Sequence, residues 1–324
     1  MLSIKKYQNL FSDYLKSSLP ESSPVNLYTP ASYILKLGGK RIRPILTLIS
    51  AEVFGGSSKN ALPAALGIEV FHNFSLIHDD IMDKAPLRRG KKTVHEKWDI
   101  NTAILSGDVM LIWSYELFQK YSSDVSFLLN VIFTKTARKV FEGQQMDMDF
   151  PNQEDISIDD YMLMIEYKTA ALIGCALSFG AIISGVKNEQ VNLIYDIGLE
   201  LGLVFQLQDD YLDVFGDTKK TGKQIGGDII ENKKTFLHLY AKTKSSNELK
   251  KELKKWTALS PKDPEKKISA IKSIYNSSGA VKAVQKKIEL LSKTSINKIK
   301  SLKLAQNKEI ILIEFVERLV ERDF

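Results

Sequence analysis

The sequence predicts an all-α protein, and three observations carry that reading. Apolar residues recur at helical spacing through most of the 324 residues. Alternating, β-branched runs bounded by turns are scarce. Prolines sit at the edges of apolar segments, and none falls between Pro151 and Pro261, so a long helical pattern continues without a breaker. The length permits a large buried core. One domain over residues 1–324 is expected, with its chemistry in 38–235 and the helices of 245–324 completing the fold.

Composition narrows the class. Hydrophobic residues at 44% and charged ones at 26% match a soluble globular chain. The single cysteine, Cys175, excludes an intramolecular disulfide and suits the reducing cytoplasm. A net charge of +6, concentrated in C-terminal lysines, fits solubility, nucleic acid or a membrane surface equally well. No basic-plus-apolar leader opens Met1-Leu2-Ser3-Ile4-Lys5, so no signal peptide is expected. The most apolar stretch, 170–186, contains Gly174, Gly180 and Gly185 and reads as a buried core helix, not a membrane span.

Residues 1–20 form an amphipathic helix ended by Pro20 and Pro24. Next comes Gly38-Gly39-Lys40-Arg41-Ile42-Arg43-Pro44, where two glycines free the backbone, three cations follow, and Pro44 suits a helix first turn. Such a loop can hold phosphate, although a basic loop is more often merely solvated. Pro63 opens a helix whose apolar run ends in His78-Asp79-Asp80-Ile81-Met82-Asp83, followed by Leu87-Arg88-Arg89-Gly90. In a helix Asp79 and Asp83 share a face, as do Asp80 and Asp83. Carboxylates at a helix C-terminus oppose the macrodipole. A compensating divalent cation is therefore expected, and the two arginines offer forks suited to phosphate. His72, two turns before Asp79, reads by itself as a core or capping histidine.

A helix over 101–120 comes next. The segment Phe141-Glu142-Gly143-Gln144-Gln145-Met146-Asp147 breaks an apolar pattern with polar groups, and 151–160 is an acidic connection. Lys168-Thr169 lies inside the apolar run 161–177, where a lysine is costly unless it meets an anion. A second acidic motif closes the apolar run 197–205: Phe205-Gln206-Leu207-Gln208-Asp209-Asp210-Tyr211-Leu212-Asp213. Gln206, Asp209, Asp210 and Asp213 fall on one helical stripe. The glycines and lysines of 221–235, Lys223 and Lys233 among them, read as a cation-bearing lid. Residues 247–267 read as a linker whose lysines face solvent.

Five segments, GGKRIRP, HDDIMD…LRRG, GQQMD, KTA and FQLQDDYLDVFGD…GK…DIIENKKT, occur in the order found in the trans-isoprenyl diphosphate synthases, or polyprenyl synthetases. Over residues 30–240 the chain resembles that family. The resemblance implies an isoprenoid-synthase bundle around a deep central cavity, with the two acidic motifs facing each other at its mouth, usually in a homodimer. It implies condensation of isopentenyl diphosphate with an allylic diphosphate, with release of pyrophosphate. Mg²⁺ would be the cofactor, three ions per site, with Mn²⁺ as substitute. Asp79, Asp83 and Asp209 would be the leading metal ligands, and Asp80, Asp210 and Asp213 would complete the set directly or through water. Arg88, Lys168, Lys223 and Lys233 would hold the allylic diphosphate, with Thr169 and Gln206 facing the cation. Lys40, Arg43, His72 and Arg89 would hold isopentenyl diphosphate without metal. No side chain is implied as a general base.

In this family the residues just before the first motif help set the cavity floor. Here these are Phe71, Phe74 and Ser75, eight, five and four before Asp79. An aromatic at five before with a small residue at four implies a C20 or C15 product. The rivals are a longer-chain synthase, a class I terpene cyclase and a non-catalytic synthase subunit. The second motif lacks the Asn/Ser/Glu pattern of the cyclases, and a non-catalytic subunit would have lost motifs that are intact here. A nucleic-acid partner is not expected, because two acidic clusters would repel phosphate unless metal intervened.

Overall fold

The computed structural model describes residues 4–20, 22–216, 225–259 and 264–321. The fold is all-α, as the sequence predicts. One small exception is a two-residue antiparallel hairpin, β1 (Leu87–Arg88) with β2 (Lys91–Lys92). Arg89 and Gly90 at its tip both have positive φ, 52° and 72°, the pairing of a type I′ turn. That turn sends Arg88 and Arg89 to different partners.

The chain groups into two compact units. The first takes residues up to Lys135 together with Cys175–Tyr195. It holds α1 (Ile4–Ser18), α2 (Val25–Lys36), α3 (Ile42–Val53), α4 (Leu62–Met82), α5 (Val94–Lys97), α6 (Ile100–Phe118) and the start of α7 (Ser123–Asp149). α1 buries the stripe Tyr7, Phe11 and Leu15 at helical spacing, and the Tyr7 hydroxyl donates to Glu52 at 2.7 Å. α6 starts where the Asp99 carboxylate accepts from the Thr102 amide at 2.8 Å. α4 is apolar on nearly every face, which is why it lies inside the unit, packed on α3 and α6. Its Phe71 meets Phe133 edge-on at 5.0 Å, and Phe118 continues the contact to Phe133 and Phe179 at 4.8 and 5.0 Å. Each such pair contributes about 1 kcal/mol beyond the burial of its rings.

The second unit takes Thr136–Gly174 and everything from Asp196. α8 (Ile158–Ile165) begins with a reciprocal cap between Ser157 and Asp160. A π-helical turn, Glu166–Ala170, joins it to α9 (Ala171–Ile183), and α10 (Asn188–Phe215) carries the second acidic motif. The rest is α11 (Gly227–Ile230), α12 (Phe236–Lys244), α13 (Asn247–Ala258), α14 (Pro264–Ser277), α15 (Ala280–Ser301) and α16 (Gln306–Glu321). The segment expected as a linker is instead helical over Asn247–Ala258. Lys267 is also not a solvent-facing lysine: it is 3% exposed and donates to the Asn232 side chain at 2.7 Å and to the Leu259 carbonyl at 3.1 Å. Leu253, Ile268 and Ile271 give these helices an apolar stripe that outweighs their lysine content.

The helical stretch Ile158–Ile183 is long and apolar enough to cross a membrane, but 67% of its most apolar window is buried inside the protein. That is the pattern of a core helix.

Candidate active site

The first unit builds a cation-rich cluster at the start of α3 and the end of α4. Gly39 has φ 125°, and a Cβ there would lie 2.9 Å from the Arg89 guanidinium carbon, so only glycine fits. Arg89 in turn donates to the Gly38 carbonyl. Arg41 turns inward, with its guanidinium on the buried Glu69 carboxylate and on the Leu35 carbonyl. Arg43 Nη1 lies 3.4 Å from His72 Nε2, while Arg43 Nε is buried without a hydrogen-bond partner. A buried guanidinium N–H of that kind calls for an acceptor.

His72 is held well below the ordinary imidazole value by burial and then by Arg43, Arg89, Arg88 and Arg41. Its ring is therefore neutral, because burial and then four crowding guanidiniums disfavour the charged form. Against them stand the carboxylates of Glu69 and Asp80. The excess is positive, so this cluster attracts an anion without help from metal. Lys40, exposed beside Gly39, extends the same edge of the unit.

The first acidic motif sits in the last turn of α4, with Asp83 just past it. Its three carboxylates face different surroundings. Asp80 is 1% exposed, and Arg88 forks onto it, with Nε and Nη2 donating to Oδ1 at 2.9 and 2.7 Å. Asp79 is half-buried and Asp83 exposed. Of the residues ahead of the motif, Phe74 is 3% exposed, wedged against Phe71 at 5.5 Å and His78 at 4.8 Å. Ser75 donates to the His72 carbonyl at 2.9 Å.

The second unit builds an acid-rich cluster around α10. Asp210 is buried; the Tyr161 hydroxyl donates to its Oδ2, and Gln206 Nε2 donates to its Oδ1 at 2.8 Å. Thr169 Oγ1 donates to Gln206 Oε1 at 3.1 Å, which closes a chain from Tyr161 to the π-helical turn. Asp213 Oδ1 accepts the Asp228 amide at 3.0 Å. Burial, with Asp228 nearby, pushes Asp210 up to about 8. Asp228 rises to about 6 through burial, opposed by Lys233 and reinforced by Asp213.

Two lysines enter this cluster. Lys168 donates to Asp147 from the π-helical turn, a widened turn common at functional sites. Gly143 makes room for it: a Cβ there would lie 2.3 Å from the Lys168 amide nitrogen. Lys233 reaches Asp228 at 3.3 Å and Glu231 at 3.2 Å. Burial lowers its ammonium, but Asp228 and Glu231 outweigh that and hold it above its ordinary value.

Each cluster thus collects sequence-predicted residues. Arg43, His72 and Arg89 meet in the first unit, and Lys168, Thr169, Gln206, Asp209, Asp210, Asp213 and Lys233 gather in the second. Lys223 lies outside the described residues. Glu69, Asp147, Tyr161 and Asp228 were not singled out from the sequence. Asp147 and Asp228 stand inside recognisable motifs, whereas a tyrosine or glutamate in an apolar helix carries no such signal. Among the described residues no three Asp, Glu, His or Cys side chains converge closely enough to hold a metal ion by themselves. Crowded carboxylates whose protons are held too tightly still fit a hard cation that takes one or two of them and completes its shell with water and phosphate.

The helical fold thus collects arginines at one Asp-rich helix end and carboxylates at the other. The polyprenyl synthetase profile matches residues 24–275, and the chain belongs to the polyprenyl synthetase family. It is a prenyltransferase. A crystal structure of a geranylgeranyl pyrophosphate synthase is similar at a TM-score of 0.96 and 47% identity over 99% of each chain. The geranylfarnesyl diphosphate synthase of Natronomonas pharaonis is 35% identical over 257 residues, 74% of this chain and 75% of its own. The geranylgeranyl pyrophosphate synthase of Corynebacterium glutamicum, solved with isoprenyl diphosphate and magnesium, has a TM-score of 0.86 at 26% identity over 99% of this chain and 100% of that one.

Proposed function

We propose that this prenyltransferase condenses isopentenyl diphosphate with an allylic diphosphate to a C20 product, with C15 the neighbouring outcome, and releases pyrophosphate. The observation that carries the reading is the contrast between the clusters: arginine excess in one, carboxylate excess in the other. A diphosphate binds directly to the first and needs a bridging cation at the second.

Asp79, Asp83, Asp209 and Asp213 would hold Mg²⁺. Bound there, Mg²⁺ would neutralise the charge that develops on the leaving diphosphate. Arg88, Lys168, Lys223 and Lys233 bind the allylic diphosphate and orient it for loss of pyrophosphate. The allylic C–O bond breaks, and the bonding pair leaves with the pyrophosphate. Gln206 and Thr169 face the resulting carbocation. Lys40, Arg43, His72 and Arg89 hold isopentenyl diphosphate so that its double bond attacks the cation. The adduct then gives up its proton to the departing pyrophosphate, so no side-chain base is required. Apolar walls keep water from trapping the cation as an alcohol.

Both compact units act in this scheme as one catalytic domain, which the profile match across residues 24–275 supports. A homodimer is the working assembly, supported by the exposed apolar residues Ile104, Leu105 and Ile112 on α6, and the single buried Cys175 suits a reducing cytoplasm. Buried Phe74 supports the short product, and the name of the Natronomonas relative raises C25 as the second reading.

The test supplies isopentenyl diphosphate with dimethylallyl, geranyl or farnesyl diphosphate and Mg²⁺, and sizes the products by mass spectrometry. A C20 diphosphate that disappears when EDTA is added is the expected result. No elongation of any primer would remove the assignment.

A further inference from the structure

We infer that Asp210 is a positioning residue and not a metal ligand: it locks the Gln206 amide so that the carbonyl oxygen, not the NH₂ group, faces the allylic cation. This rests on the proposed reaction and deepens it. Both Asp210 oxygens are already occupied from within the protein, Oδ2 by the Tyr161 hydroxyl and Oδ1 by Gln206 Nε2 at 2.8 Å, and the residue is 6% exposed. Each oxygen is thus anchored to a side chain of the protein, and burial leaves the carboxyl little open surface on which a hydrated cation could sit.

The amide of Gln206 can in principle turn over, since its two ends are nearly the same size. Thr169 on its other side cannot choose between the two poses, because a hydroxyl donates or accepts equally well. Asp210 decides. Its Oδ1 accepts from Nε2 at 2.8 Å while the Tyr161 hydroxyl holds Oδ2, which leaves Oε1 pointing to Thr169. Oε1 takes one bond from Thr169 and keeps a second lone pair. An amide oxygen stabilises a neighbouring cation, whereas the reversed amide would set two N–H groups against it. The sign of the Gln206 contribution therefore depends on a carboxylate that never touches substrate.

The first motif has no counterpart to this device. Asp80 is also buried at the middle position, but both its oxygens accept from the Arg88 guanidinium and no amide is involved.

The experiment uses the full-length enzyme in a Tyr161→Phe background, so that no buried hydroxyl is stranded. There, Asp210→Leu should lower kcat about 10²-fold at saturating Mg²⁺ and substrates. KM for both diphosphates should stay within about twofold, as should Mg²⁺-dependent binding of an unreactive allylic thiolodiphosphate measured by calorimetry, since only the transition state is affected. Gln206→Leu should cost a similar factor, and combining the two should cost no more than Gln206→Leu alone. Asp210→Asn, which keeps one acceptor oxygen, should recover about tenfold of the loss. It also serves should the leucine variant fail to fold. Losses that multiply in the double variant, or activity restored to Asp210→Leu by raising Mg²⁺, would overturn the inference. An unchanged kcat in Gln206→Leu would instead remove the role of Gln206 in the proposed reaction, and a native enzyme that elongates no primer would remove the reaction itself.

Discussion

The two acidic motifs have the same spelling and the same position near the end of a long helix, yet they live in opposite surroundings. In both, the middle aspartate is the buried one. At Asp80 the partner is a cation, Arg88, whose fork balances the charge. At Asp210 the partners are a phenol and an amide, which supply hydrogen bonds but no charge. The rest of each cluster follows the same division, with Arg41, Arg43 and Arg89 around the first and Asp213 and Asp228 around the second. Spacing puts carboxylates on a helix face. What that face does is set by the charge packed behind it.

The largest expected effect lies where both motifs act alike. Asp79→Ala and Asp209→Ala should each lower kcat by about 10²-fold or more, the scale of losing a contact made to charge in the transition state. Steady-state rates at saturating Mg²⁺ measure this, and near-normal turnover in either variant would break the parallel between the motifs.

The motifs should then part company in stability. Arg88→Ala leaves Asp80 buried and uncompensated, at a cost of about 3 kcal/mol. Tyr161→Phe removes one neutral donor from Asp210 and should cost about 1 kcal/mol. Urea denaturation of both variants at pH 7 compares them directly. Equal losses would mean that the Arg88 charge contributes nothing beyond its hydrogen bonds.

Product length tests only the first motif. Phe74→Ala should extend the product by one or more isoprene units, read by mass spectrometry, because it removes a ring from the helix that leads into Asp79. An unchanged product would take Phe74 out of the cavity floor.

The smallest effect concerns pH. Asp228 at about 6 and Asp210 at about 8 both lie above the usual carboxylate range. Without metal the folded state therefore binds protons more tightly than the unfolded one between roughly pH 4 and 8, and stability falls as pH rises through that window. Mg²⁺ held by the neighbouring Asp209 and Asp213 would oppose those protons through its charge, so its stabilising effect should be a few degrees larger at pH 8 than at pH 6 in thermal melts. An equal shift at both values would mean that these carboxyls do not sense the metal.

Much of the fold was legible in local pattern. The apolar run ending at Asp83, the helix over 101–120 and the amphipathic stripe of α1 each follow from residues a few positions apart. The hairpin at Arg88 was not legible, because a two-residue strand carries no periodicity. Nor was the burial of Lys267, where a handful of apolar neighbours on α14 override a lysine-rich composition.

By itself the sequence determined that the protein is helical, that two DDxxD motifs end apolar helices, and that cations follow each of them. These are short-range facts, set by helical period and charge order. Only the tertiary structure decided which carboxylate of each motif turns inward, and that Arg88 serves Asp80 while Tyr161 and Gln206 serve Asp210. Those partners lie 8 to 49 positions apart, except for the one-turn step from Gln206 to Asp210. Burial makes an unmatched carboxylate costly, and what can match it is whatever the packing of distant helices brings within reach.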